Sequence, residues 1–150
     1  MTLCRRFSST TWTLRYAQNQ PHVSGSVQNA LLRDRIVSML HGFGYKPEIQ
    51  RRFHCNPAFA SCSPVENILA IRQGEQRGSA ILLTAHYDSV WTGPGVADDG
   101  AGVAALLEIA RMATLAPGFS HDLIFLFTDA EEQGQLWFLR TFVRACPLGQ

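Results

Sequence analysis

"SAILLTAHY" (Ser79–Tyr87) and "HDLIFLFTD" (His121–Asp129) are near-continuous apolar runs, and between them lies "GAGVAALLEIARMATLAPG" (Gly100–Gly118). Runs of this kind are the pattern of strands buried on both faces in a parallel sheet. The middle segment sets Val103, Leu106, Leu107 and Ala110 on one helical stripe and stops at the breaker Ala116-Pro117-Gly118. Strand, helix, strand is a βαβ unit, whose crossover is right-handed. In open α/β sheets ligands bind beyond the carboxyl ends of the parallel strands. Both runs end there in polar, acidic clusters, "AHYDSV" (Ala85–Val90) leading to "GVADDGAG" (Gly95–Gly102), and "TDAEEQG" (Thr128–Gly134).

Outward from this unit, apolar positions at Leu31, Leu32, Ile36, Met39 and Leu40 predict a helix over Val27–His41, with Ser24 and Ser26 as N-cap candidates and Gly42 and Gly44 as stops. A strand follows near Lys46–Phe53, then a polar loop carrying Pro57 and Pro64. "ENILAIRQG" (Glu66–Gly74) reads as a short strand with mixed faces, placed toward a sheet edge. A last helix is expected from about Gln133 to Arg144. The order α, β, β, β, α, β, α predicts a three-layer α/β/α domain with a mixed, mostly parallel sheet.

A chain of 150 residues, 46% hydrophobic and 17% charged, is of single-domain size and globular composition. Its formal charge is +1 and its 13 basic residues are scattered, so no basic face points to nucleic acid. No stretch approaches the ~20 apolar residues needed to cross a bilayer. The start has Arg5 and Arg6 but no apolar run behind them, so no signal peptide is expected; its Arg, Ser and Thr content resembles a transit segment, against which an ordinary helical start is preferred. None of the four cysteines forms a CxxC pair, so a structural zinc site is not expected. Cys55 and Cys62 bracket "CNPAFASC", a spacing that fits either a disulfide or two free thiols.

The clusters have bland readings. Asp98 and Asp99 can cap the helix that follows, Glu131 and Glu132 can cap the last one, and a strand-end histidine is often only a polar cap. Several independent caps would then have to meet at one sheet edge by chance, and a metal site explains them together. His86 is a candidate ligand, and Asp88, two residues on and on the same side of an extended chain, can accept its other ring N–H. Asp98 can bridge two cations. Of Glu131 and Glu132, one can reach a metal while the other faces a water as general base.

These motifs, in this order and spacing, resemble the dinuclear zinc aminopeptidases of the bacterial leucyl aminopeptidase type, a family that includes glutaminyl cyclases. The upstream "PHVSGSVQN" (Pro21–Asn29) resembles the start of its membrane-associated branch of endoplasmic-reticulum and vacuolar metallopeptidases. The resemblance implies His86 as ligand of one zinc, Asp98 as bridge, Glu132 as ligand of the second zinc, Glu131 as general base and Asp88 as partner of His86; Asp99 is not expected to bind metal. It implies Zn2+, two ions per complete site, and peptide or protein N-termini as substrate.

The resemblance also implies an eight-stranded sheet and two further ligands, an aspartate and a histidine, while no aspartate follows Asp129 and no histidine follows His121. His121 opens the strand whose far end carries the cluster and cannot substitute. Residues 1–150 are therefore expected to form the N-terminal part of a zinc-peptidase domain, about four strands of the eight. Little activity is expected of them alone, and the run ending at Ala85 is expected to present an apolar edge that needs the remaining half. Trp137, Phe138 and Phe142 are expected to need a core. The family suggests a secreted or membrane-associated setting. Two other functions stay open: a non-catalytic remnant or binding module, and glutaminyl-cyclase-like chemistry.

Overall fold

A computed structural model describes residues 20–76 and 78–134. The expected last helix lies, apart from its first two residues, outside the described residues, as do Trp137, Phe138, Phe142 and the chain's start. Helix α1 spans Val27–Gly42. Strands β1 (Glu48–Asn56) and β2 (Ser61–Arg72) form a hairpin joined through the 3-10 turn Pro57–Phe59. Strand β3 (Ala80–His86), helix α2 (Gly100–Ala113) and strand β4 (Asp122–Thr128) complete the βαβ unit.

Local chemistry sets these elements. The Ser26 hydroxyl caps α1, accepting the Asn29 N–H at 3.1 Å. Leu32, Ile36 and Leu40, four apart, are its buried stripe. The chain leaves α1 through Gly44 at φ +91°, a left-handed conformation that glycine adopts without a side-chain clash. Asp99 caps α2 by accepting the Gly102 N–H at 3.1 Å. A Cβ at residue 102 would stand 2.1 Å from that carboxylate, which is why glycine follows the cap at this spacing.

The four strands lie in the order β1-β2-β4-β3. Strands β3 and β4 are parallel, as the apolar runs predict, while β1–β2 and β2–β4 are antiparallel. The sheet is thus mixed, with one parallel pairing among the described strands rather than a parallel majority. One face carries Ile68, Ala70, Ala85, Leu123, Phe125 and Phe127, packed against the stripes of α1 and α2. Leu69, Ile124 and Leu126 point to the other face and are also buried. The Tyr45 ring meets Phe125 edge-on at 5.6 Å between centroids, and its hydroxyl donates to the Ala110 carbonyl at 2.8 Å.

Two expectations are corrected. Strand β2 is interior and twelve residues long, not a short edge strand, because β1 folds back along its outer side from Glu48↔Leu69 to Asn56↔Ser61. Pro64 belongs to that strand and not to the loop. It is tolerated where β2 has only β1 beside it, the pairing with β4 covering Ile68 to Arg72. The disulfide alternative is decided: Cys55 and Cys62 are bonded across the hairpin tip. No helix of the described residues is long and apolar enough to cross a membrane.

Candidate metal centre

The parallel register brings His86 opposite Thr128, and the Tyr87 N–H donates to the Thr128 carbonyl at 2.9 Å. Both acidic clusters therefore leave the sheet at one end. After β4 the chain turns sharply at Ala130, fully buried with φ 63°, and enters the 3-10 turn Glu131–Gln133. A left-handed alanine is costly, and it is held here by donation of its own N–H to Asp129 Oδ1 at 2.9 Å.

Asp88 joins the two clusters. Its carboxylate is fully buried and accepts the Glu131 N–H at Oδ1 and the Glu132 N–H at Oδ2, each at 3.1 Å. A buried carboxylate is tolerated only when satisfied in this way. His86 Nδ1 stands 3.2 Å from the Asp88 carbonyl and 3.5 Å from its carboxylate. A proton on Nδ1 is thereby directed to Asp88, and Nε2 is left to face the cluster.

Nε2 lies 3.1 Å from Asp98 Oδ1 and 3.9 Å from Glu131 Oε2. One donor atom each of His86, Asp98 and Glu132 falls within 4.8 Å of the others. Two ligands on a tetrahedral zinc with bonds of ~2.05 Å stand about 3.3 Å apart, so the His86–Asp98 separation is that of two ligands on one ion. Imidazole nitrogen with carboxylate oxygen is a donor set that suits zinc. The residues present fit the metal.

Electrostatics agree. Burial lowers the His86 pKa, but hydrogen bonds and charge from Asp88 and Asp98 outweigh it and raise it to about 9. Burial pushes the Glu132 carboxyl up, and the charges of Asp98, Asp88 and Glu131 push the same way. A cation placed among these groups relieves that repulsion.

The expected ligands His86, Asp98 and Glu132 are thus brought together, with Asp88 beneath them and Glu131 beside them and exposed. Asp99 is turned away as the cap of α2, its Oδ2 accepting the His86 N–H at 3.3 Å. His121 is at the opposite end of β4, bonded to the Ser79 hydroxyl.

The sequence reading assigned no role to Asp129, nor to His22 and Asn29. Asp129 is buried; its Oδ1 accepts from Asn29 Nδ2 at 3.0 Å and its Oδ2 from the Glu66 N–H at 3.0 Å, with the Ser24 hydroxyl 3.2 Å away. Burial and the charge of Asp88 push its carboxyl up to about 7 while these donors oppose them. The His22 N–H donates to Ser89 Oγ at 2.8 Å, and its Nε2 lies 3.1 Å from the Pro94 carbonyl in the loop between His86 and Asp98. "PHVSGSVQN" is therefore a clamp across the loops that follow β3 and β4. The signal was the clustering of small polar residues in that motif, whose task depends on contacts more than 60 residues distant.

A family described as peptidase family M28 matches residues 67–137, which contain every residue of this centre. A vacuolar membrane protease of Candida albicans (strain WO-1) is 34% identical over 128 residues, covering 83% of this chain and 15% of that protein. Residues 67–137 resemble peptidase family M28. Among solved structures, this chain is similar to a Zn-dependent exopeptidase from Parabacteroides distasonis, at a TM-score of 0.67 and 27% identity over 83% of this chain and 45% of that one. It is also similar to the Porphyromonas gingivalis glutaminyl cyclase, at a TM-score of 0.71 and 26% identity over 83% of this chain and 44% of that one. The chain thus spans less than half the length of these two structures and 15% of the curated relative.

Proposed function

We propose that this chain is the N-terminal part of a zinc-dependent aminopeptidase domain that hydrolyses N-terminal peptide bonds. The observation that carries the reading is the convergence of His86, Asp98 and Glu132 within 4.8 Å at the carboxyl ends of two parallel strands. These three side chains would hold the metal, and Asp98, exposed beside the His86 ring just before α2, would be the residue shared between two ions. Zinc, when bound, supplies a Lewis acid that polarises the scissile carbonyl and lowers the pKa of water. Glu131 takes the proton of the attacking water and passes it to the departing amine. Asp88 orients the His86 ring and, through two backbone N–H groups, the Glu131–Glu132 pair.

The chain's 45% coverage of the exopeptidase structure supports placing the two remaining ligands, an aspartate and a histidine, in sequence beyond these residues. The name of the Candida relative supports a membrane-associated setting for the whole protein. The test is the full-length protein against its Glu131→Gln variant. Zinc content is expected to be equal, and hydrolysis of aminoacyl nitroanilides is expected in the parent alone. Equal activity in both would remove Glu131 from the chemistry, and no activity in either would favour a non-catalytic binding module. The likeness to a glutaminyl cyclase supports a second reading, aminoacyl cyclisation. A peptide with N-terminal glutamine separates the two, since cyclisation releases ammonia and leaves the peptide bond intact.

A further inference from the structure

The turn that carries Glu131 and Glu132 has two anchors. Asp88 holds its start. Its end is held by the tip of the β1–β2 hairpin, which sequence separation and the proposed function leave without a task. The Ser61 hydroxyl donates to the Gln133 carbonyl at 3.0 Å, and Asn56 Nδ2 donates to the Gly134 carbonyl. Asn56 and Ser61 face each other in the hairpin register, directly beside the bonded pair Cys55 and Cys62. The Asn56 side chain is itself fixed, because its Oδ1 accepts the Ala58 N–H at 3.1 Å. The Phe59 ring lies against Gly134, whose φ is +69° and where a Cβ would stand 2.5 Å from a ring carbon.

None of this serves the hydrophobic core. Phe59 is 65% exposed, and no residue of the 3-10 turn Pro57–Phe59 is buried. The tip's polar contacts end instead on two successive carbonyls immediately after Glu132. A three-residue turn behind a left-handed alanine is short of intrinsic rigidity, and ligand geometry must be held closely for metal affinity.

We infer that the disulfide-closed hairpin tip positions the Glu131–Glu132 pair, with Asn56 and Ser61 as positioning residues acting through the backbone of residues 133 and 134. The inference rests on the reading of His86, Asp98 and Glu132 as a metal centre. The disulfide keeps Asn56 and Ser61 paired by tying the two strands one residue outside them.

Cobalt(II) titration of the full-length protein, followed by its visible d–d absorption, tests it without reference to catalysis. Ser61→Ala removes one donor. Asn56→Asp keeps the acceptor for the Ala58 N–H but loses the donor to Gly134, so the hairpin turn survives while the clamp does not. Each is expected to raise the cobalt Kd about 10-fold, the lower end of the effect of outer-sphere partners, and to alter the absorption envelope. Ser61→Thr, which keeps the hydroxyl, is expected to restore both. Joint replacement of Cys55 and Cys62 by alanine is expected to weaken cobalt binding in the same direction. Affinity and spectrum unchanged in Ser61→Ala and Asn56→Asp, with the full-length parent binding cobalt, would overturn the positioning role alone. A full-length parent protein that binds no cobalt would instead overturn the metal-centre reading, and this inference with it.

Discussion

Asp88 is the residue on which the centre turns, because one buried carboxylate fixes three partners: the His86 ring and the amides of Glu131 and Glu132. Asp88→Asn keeps the shape but sets an amide N–H2 against one of two backbone donors. Zinc affinity is expected to fall about 10- to 100-fold, read by calorimetric titration at constant pH. An unchanged affinity would reduce Asp88 to a structural cap. The two-residue spacing to His86 was legible in the sequence, since i and i+2 share a side of an extended chain. Its hold on the acidic pair was not, because that depends on the parallel register that sets His86 opposite Thr128. Nor did composition mark Ala130 as the left-handed corner, since that conformation is ordinarily read from glycine or asparagine.

At the scale of elements, the segment before α1 ties the helix to the loops that follow β3 and β4, and its bonds are buried. Asn29→Ala removes a donor to the Asp129 carboxylate and one to the His22 carbonyl. A loss of about 1.5–3 kcal/mol is expected, as for a hydrogen bond to a charged group, read from the denaturant midpoint. His22 gives this clamp a pH dependence. Burial lowers its pKa below 6.5, against the Pro94 and Tyr87 carbonyls and the charge of Asp88, which raise it. Below pH 6.5 the unfolded chain takes up the proton before the folded one does. Stability is therefore full above that pH and falls as pH drops toward the folded value, by at most about 1.4 kcal/mol per pH unit. His22→Gln is expected to flatten the fall in thermal midpoint between pH 7 and 5; parallel slopes in the two proteins would sink the assignment. Helices α1 and α2 and the βαβ unit were legible from periodicity, but β2 was misplaced to an edge. Its polar residues are spent inside the molecule: Glu66 pairs with Arg33 and Arg51, and Asn67 Oδ1 accepts the Asp129 N–H at 2.9 Å. A pattern of mixed faces cannot distinguish buried polar partners from solvent.

For the whole molecule the consequence lies at β3. It carries the proposed metal ligand His86 at its end, yet among the described residues it pairs with β4 on one side only. That is the edge the sequence reading expected, and it holds Ile81 at 48% exposure, next to partly buried Leu82 and Leu83. A long apolar edge offers a row of unpaired backbone groups to any other strand. A formal charge of +1 provides little repulsion between copies at pH 7. The 150-residue chain is therefore expected to associate as its concentration rises, giving light-scattering masses above 16.6 kDa. Ile81→Lys puts a charge on the edge at an already exposed position, far along the strand from His86, and is expected to restore the monomer. Association that persists unchanged in Ile81→Lys would locate the contact elsewhere. A parent chain that stays monomeric at every concentration would mean that the edge is already covered.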